Sequence, residues 1–535
     1  MPATVFRNAS LFDGFRHRGR VGDVLVRDGR VVAVGGDLGS PGTDVVDVDG
    51  GLLLPGFTDA HVHPVQGGLE RLGCDLSELP AEASAYVAHV GAWAAASDAT
   101  WVRGGGWAMA AFPGGLPTAA ALDAVVGDRP VALANRDHHG LWVSSRALAL
   151  AGITAQTPDP SDGRIERDAA GEPTGMLHEG AMRLLDHVLP VAGDDEVHAA
   201  LLEGQRHLLS LGVTAWQDAI VGAYSGMEDC GPAYARAAAS GDLVASVVGA
   251  LWWDRDRGGE QVAELVAKRD DWSHGRFRAT SVKVMQDGVA ENGTAALVEP
   301  YLDRCGHATA NAGLSFVDPL ALRGHVAELD RLGFQVHVHG LGDRGVREAL
   351  DAFEGTDPRR RHQVAHLQLV HPDDVPRFAV LGVAANLQAL WACHDEQMTE
   401  LTIPFLGAER AARQYPFADL HAAGARLVAG SDWPVSTPDP LAALHTAVHR
   451  TTYDDPGRAG TDPFLPDQAL PVEVAFAAYT SGSAWVNHRD DAGRVAPGAV
   501  ADLVVLDRDP FAAPDAIGAA RVRSTWVDGA CVHEA

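Results

Sequence analysis

The middle of the chain alternates between short apolar runs and longer stretches with helical spacing. The apolar runs are residues 56–63, 212–218, 244–251, 279–286, 334–340, 362–368, 383–389 and 426–432. Segments such as 344–354 and 372–381 between them carry a helical pattern. A strand buried on both faces reads as a nearly continuous apolar run rather than an alternation. Eight strand–helix repeats therefore predict an α/β fold, a (β/α)8 TIM barrel over residues 56–489. The two ends have a different texture. Residues 3–8, 23–27 and 31–34, with a hairpin signal at Asp28-Gly29, match in style residues 502–506 and 522–527, which precede Asp528-Gly529 and Cys531-Val532. They predict a small β-sandwich domain built from both termini, residues 1–55 and 490–535.

One connection is too long for a βα loop. Residues 64–205 carry a helical stretch at 81–97, a strand-like run at 131–135 and a glycine-rich turn, Gly104-Gly105-Gly106-Trp107. Loops that follow barrel strands build the active-site face. This segment therefore reads as an inserted lobe that shapes a substrate pocket.

Composition narrows the function classes. At 535 residues the chain is too long for one ordinary core, and 46% hydrophobic with 21% charged residues describes a globular protein. A net charge of -29 argues against nucleic acid or an anionic membrane as partner. The expected partner is a small-molecule substrate, with a homodimer as the expected assembly. Cys74, Cys230, Cys305, Cys393 and Cys531 form no Cys-x-x-Cys pair, which suits a reducing compartment. No signal-peptide core or membrane-length apolar run stands out, so a cytoplasmic location is the expectation.

The candidate chemistry starts at His61-Val62-His63. Residues i and i+2 of a strand share a face, so two imidazoles sit side by side at a strand end, a good ligand pair for zinc. Polar residues recur at the ends of later strands: Lys283, His337 and His339, His366, and Asp432. Each alone has a plain explanation as a packed or capping residue. Asp343, directly before a helical segment, is read as a cap. His, His, Lys, His, His and Asp in barrel order, all near one rim, point to a shared site. Lysine is rare: Lys268 and Lys283 are the two in the chain. Lys268 lies in a charged segment and reads as solvated surface. Lys283 lies in an apolar strand, where a neutral amine can form a carbamate, which arginine cannot.

With these residues in view, the chain resembles the amidohydrolase superfamily, in the branch that includes N-substituted formamide deformylases. The resemblance runs through residues 56–64, Asp137-His138-His139-Gly140, Thr174-Gly175-Met176-Leu177-His178-Glu179, residues 212–218, Val282-Lys283, Asp287-Gly288, residues 339–344, His366, Asn386-Leu387-Gln388, residues 430–434, and Gly498 with residues 501–504. It implies a divalent metal centre of one or two ions, zinc being the expected metal, held by His61, His63, Lys283, His339, His366 and Asp432. Lys283 would be N-carboxylated and bridging. His337 is read as packing beside the site. The segment Val289-Ala290-Glu291-Asn292-Gly293 and Ala389 depart from the family pattern. The resemblance implies hydrolysis of a C–N bond, as in an N-substituted formamide or N-acyl amine, by a metal-activated hydroxide with Asp432 moving the proton. The alternatives are a deaminase or a cyclic amide or lactone hydrolase on the same scaffold, and, in a different class, a metal-free assembly scaffold. Expected substrate contacts are His139, Glu179, Trp107, Trp391 and Trp433.

Overall fold

In the computed structural model, which describes residues 3–39, 42–77, 79–224, 227–453 and 462–535, eight strands form one parallel sheet. They are β1 (Phe57–Val62), β2 (Val213–Val221), β3 (Ser246–Trp252), β4 (Phe277–Met285), β5 (Gln335–Gly340), β6 (Gln363–His366), β7 (Ala384–Leu387) and β8 (Arg426–Ala429). Each pairs with the next in sequence. The sheet closes just beyond the end of β8, where the Asp432 amide donates to the His61 carbonyl at 2.8 Å and the His63 amide donates to the Trp433 carbonyl at 2.8 Å. Gly430 permits this closure, since a Cβ there would lie 2.5 Å from the His61 nitrogen. The result is the (β/α)8 barrel expected from the apolar runs.

Helices cover the barrel for ordinary reasons. The helix Pro319–Arg331 begins with Asp318, whose side chain accepts from the Leu320 and Ala321 amides, and with proline at its first turn. Its buried residues Leu322, Val326 and Leu329 recur at i, i+4 and i+7, one stripe facing inward. The barrel interior is less ordinary. Gln217, Gln335, Gln363 and Asn386, all buried, stand on four different strands, where branched apolar side chains usually fill such a barrel.

The long segment after β1 opens with helix α1 (Pro64–Leu72) and ends with helix α2 (Asp194–Ser210), and the two helices pack against each other. Between them a six-stranded sheet runs in the order Gly163–Arg167, Pro173–Glu179, Gly140–Val143, Val131–Asn135, Val102–Trp107, Cys74–Asp75. The glycine-rich segment expected as a turn is therefore a strand. Glycine is required there by contact: a Cβ on Gly104, whose φ is +158°, would lie 2.1 Å from the Cys74 carbonyl oxygen of the neighbouring strand. Strands from both ends of the chain mix in a second six-stranded sheet, with Leu52–Pro55 lying between Ser10–Phe12 and Leu503–Leu506. It shares an apolar cluster including Phe6, Val24, Leu53 and Leu503 with a four-stranded N-terminal sheet.

Two local expectations change. Asp343 is the first residue of the helix Asp343–Phe353, not its cap; Gly342 holds the cap position, and the Asp343 carboxylate accepts from the Val298 amide at 2.8 Å. Lys268 is not free surface: its ammonium lies 3.0 Å from both Asp229 and Glu264 and over the Trp272 ring. Among the described residues no helix is long and apolar enough to cross a membrane.

Candidate metal centre

Barrel closure brings Asp432 against the end of β1. Its Oδ1 lies 3.0 Å from His63 Nε2 and 3.2 Å from His61 Nε2. Lys283, on β4, reaches to 3.3 Å of His61 Nε2. His366, the last residue of β6, places Nδ1 3.8 Å from Asp432 Oδ2. One donor atom each from His61, His366 and Asp432 lie within 4.8 Å of one another. His339, on β5, has its ring centroid 4.3 Å from that of His366, with Nε2 3.4 Å from the Gly288 carbonyl. The six residues chosen from the strand ends therefore stand in one cluster, although up to 371 positions separate them in sequence (432 − 61).

The surroundings suit a cation. Burial, reinforced by neighbouring positive groups, pushes His61 and His339 well below the ordinary imidazole range. The same holds for His366, so all three are neutral, the form that ligates metal. Burial takes Lys283 down to about 7, against the pull of Asp432. Burial alone would raise Asp432, but the His63 hydrogen bond and the electropositive surroundings, Lys283 among them, outweigh it and bring the carboxyl to about 2. Two further observations test the fit. Both ring nitrogens of His366 are buried without a hydrogen-bond partner, at a cost of roughly 1–3 kcal/mol for each such group, and ligation would remove that cost at the nitrogen that carries the lone pair. His366, Leu367 and Asp432 have φ of +81°, +53° and +57°. Non-glycine residues in that region cost roughly 1–3 kcal/mol each and persist where the surroundings force them. Imidazole nitrogens and a carboxylate converging in a buried pocket fit a divalent ion.

A cavity of about 750 Å³ opens over the cluster, lined by His339, Asp432, His139, Trp391 and Trp433 among others. Trp391 stacks on His366 with ring centroids 5.3 Å apart. Trp433 packs against His207 at 5.2 Å. His139 enters from the inserted lobe. Its Nδ1 meets the Glu179 carboxylate at 3.0 and 3.1 Å, and its ring lies 6.1 Å from that of His339. Glu179, at φ +51°, also accepts from Thr294 Oγ1 at 3.0 Å, tying the lobe to the loop after β4. Burial opposes charge on His139, but the Glu179 carboxylate and its hydrogen bond prevail and take the imidazole to about 9. Trp107 does not belong here. It is fully buried in the lobe, edge-on to Trp142 and Phe112, with its indole N–H on the Leu133 carbonyl. An aromatic beside a glycine run signalled a loop; the run is a core strand, so its aromatic is core.

Other polar groups at the site escaped the reading of the sequence. Asp59 accepts from the His61 and Ser431 amides at 3.0 and 3.1 Å, so it braces the closure that carries Asp432. Asp287 accepts from the amides of Ala296, Leu341 and Gly342 at 2.8–3.0 Å and shapes the loop next to His339. Glu70 lies 3.3 Å from His138, which sits at φ +61° and bonds Gln66. Asp59, Asp287 and His138 each lie in a stretch that carries the family resemblance but drew no role from it, and Glu70 carried no signal.

Comparison with known proteins agrees with this arrangement. YtcJ of Bacillus subtilis (strain 168), assigned to the amidohydrolases, is 29% identical over 524 residues, covering 96% of each chain. The N-substituted formamide deformylase of Arthrobacter pascens is 27% identical over 547 residues, covering 96% of this chain and 94% of that one. A crystal structure of an uncharacterized metal-dependent hydrolase from Pyrococcus furiosus superposes with a TM-score of 0.71 at 25% identity, over 95% of this chain and 100% of that chain. Residues 44–533 match the amidohydrolase family, and with a barrel closed around five basic side chains and one carboxylate, the chain belongs to it.

Proposed function

We propose that the protein is a metal-dependent hydrolase that cleaves the C–N bond of an amide, either an N-substituted formamide or an N-acyl amine. The observation that carries this reading is the convergence of His61, His366 and Asp432 donors within 4.8 Å, with Lys283 3.3 Å from His61, at the floor of a cavity of about 750 Å³. His61, His63, His339, His366 and Asp432 would hold the ion or ions, zinc being the chemically natural choice, and Lys283 would join them as its carbamate. A bound divalent ion supplies Lewis acidity and makes water a nucleophile near neutral pH. Asp432, ionised and hydrogen-bonded to His63, accepts the water proton and returns it to the leaving nitrogen. His139 spends its Nδ1–H on Glu179, so Nε2–H remains to donate to the substrate carbonyl oxygen. The apolar wall of Leu390, Trp391 and Met398 receives an apolar substituent.

The test is a hydrolysis screen of purified, zinc-reconstituted enzyme on N-substituted formamides, N-acyl amines, ureas, aminopurines and lactones, with metal content measured alongside. Turnover confined to the first two classes is the expected result. Turnover of only aminopurines or lactones would replace this reading, and a protein that takes up no metal would end it.

A further inference from the structure

The interior amides do more than fill the barrel, because their donors and acceptors can be assigned without ambiguity. Gln335 Nε2 reaches two backbone carbonyls, Arg361 at 2.8 Å and Val486 at 2.7 Å. Carbonyls only accept, so the Gln335 amide has one orientation and its Oε1 faces inward. That oxygen lies 2.8 Å from Gln217, which must therefore present Nε2 to it. Gln217 Oε1 is left facing His337 Nδ1. A second anchor gives the same answer. Asn386 Nδ2 donates to the Ala60 carbonyl at 3.0 Å and to Gln363 Oε1 at 2.7 Å, which turns Gln363 Nε2 toward Gln217 Oε1 at 2.7 Å.

An oxygen fixed in this way demands a donor from His337. Its Nδ1 must carry the proton. The ring is fully enclosed and has no carboxylate among its hydrogen-bond partners, so a second proton would be an unpaired buried charge. His337 Nε2 is then a bare acceptor, 2.9 Å from His61 Nδ1. His61 must donate from Nδ1, and its Nε2 keeps a lone pair whose hydrogen-bond partner is Lys283 Nζ. That lone pair is the one 3.3 Å from Lys283 Nζ and 3.2 Å from Asp432 Oδ1, with no hydrogen bond to the carboxylate.

We propose that His337 and Gln217 are positioning residues that fix His61 in the tautomer whose Nε2 is free to bind the cation, an assignment of role that rests on the metal-centre reading. Metal-bound histidines commonly donate their other N–H to a carboxylate, carbonyl or water, and losing that partner typically costs about 10–100-fold in metal affinity. Here a second imidazole backed by an amide ladder takes that part, anchored on the main-chain carbonyls of Ala60 in β1, of Arg361 just before β6, and of Val486.

The tautomer is read first, in wild-type protein stripped of metal and labelled with 15N-histidine, the His61 signals being assigned by their loss in His61→Asn. The expected pattern is a protonated Nδ1 and an unprotonated Nε2. A protonated Nε2 overturns the proposal whatever the protein's activity. Zinc affinity is then measured by chelator competition. His337→Phe keeps the ring volume and should weaken zinc about 10–100-fold while His61 loses its single tautomer. His337→Gln, which can accept and donate at once, should recover much of both. Unchanged zinc affinity in His337→Phe, alongside a large loss in His61→Asn, refutes the positioning role and leaves the metal centre standing. Unchanged affinity in His61→Asn refutes the metal reading, and with it the positioning role in metal binding.

Discussion

The buried His139–Glu179 pair makes a stability prediction that needs no substrate. In Glu179→Gln the imidazole loses the charge that kept it protonated, and burial makes it neutral. His139 rises from 6.5 to about 9 in the folded protein, and each pH unit of that rise is worth about 1.4 kcal/mol. The pair thus contributes about 3 kcal/mol, in line with the roughly 3–5 kcal/mol lost when one partner of a buried ion pair is removed. Because the folded pKa of His139 lies above its unfolded value, its contribution is complete below pH 6.5 and disappears as pH climbs through about 9. Glu179 is displaced the other way, by His139 together with the Thr294 and Asn292 hydrogen bonds against the opposing effect of burial. Its contribution is complete above pH 4.5 and disappears as pH falls through its lowered value. The window of full strength is therefore pH 4.5 to 6.5. Thermal midpoints of metal-free wild type and Glu179→Gln should differ most in that window, by about 3 °C for a chain of this length, and should converge above pH 9. A gap that stayed constant from acid to alkali would mean that Glu179 holds a neutral His139, and the donor role given to that imidazole would fall with it.

Lys283→Ala should lose zinc, and bicarbonate with a short-chain carboxylic acid should restore part of it, whereas Lys283→Arg should not recover, since a guanidinium cannot form a carbamate; full metal content in the alanine variant would contradict this. Asp432→Asn should retain metal and lose about 10²–10⁴-fold in kcat, measured at saturating substrate. Trp107→Ala should lower stability by about 3–5 kcal/mol with KM unchanged, while Trp391→Ala should raise KM with little loss of stability; the reverse pattern would return Trp107 to the pocket.

The barrel was legible because its strands are buried on both faces, so apolar runs mark them without any need for period. The rim residues were legible for a related reason: a histidine or lysine at the end of an apolar run stands out. What could not be read was direction. Gln217, Gln335, Gln363 and Asn386 each look like an ordinary polar residue, and only closure of the sheet turns them toward one axis. The same holds for Trp107, whose glycine neighbours suggest a turn until the adjacent strand at Cys74 shows why no side chain fits beside it. Asp343 failed on a margin of one residue, the usual uncertainty at a helix start. Strand bounds shifted at their ends for a physical reason too: the chain leaves the ladder before the functional residue, so that His63 and Asp432 lie just past β1 and β8.

Hydrogen-bond accounting separates the two halves of the barrel interior. Below the cluster, every amide oxygen and nitrogen of Gln217, Gln335, Gln363, Asn386 and Gln388 has a partner, and Gln388 Oε1 takes the backbone amide of His366 itself at 2.7 Å. A polar network so completed is rigid, because any rotation strands a buried group. One residue further along, the His366 ring has none. The ladder therefore holds the His366 main chain and the His61 ring through separate branches of one network, and delivers two imidazoles that it does not itself satisfy. The accounting is complete for these five amides but not for the whole interior, since Ser281 Oγ and Asn487 Nδ2 are also buried without a partner, and the bare His366 nitrogens lie where a cation would take up a lone pair.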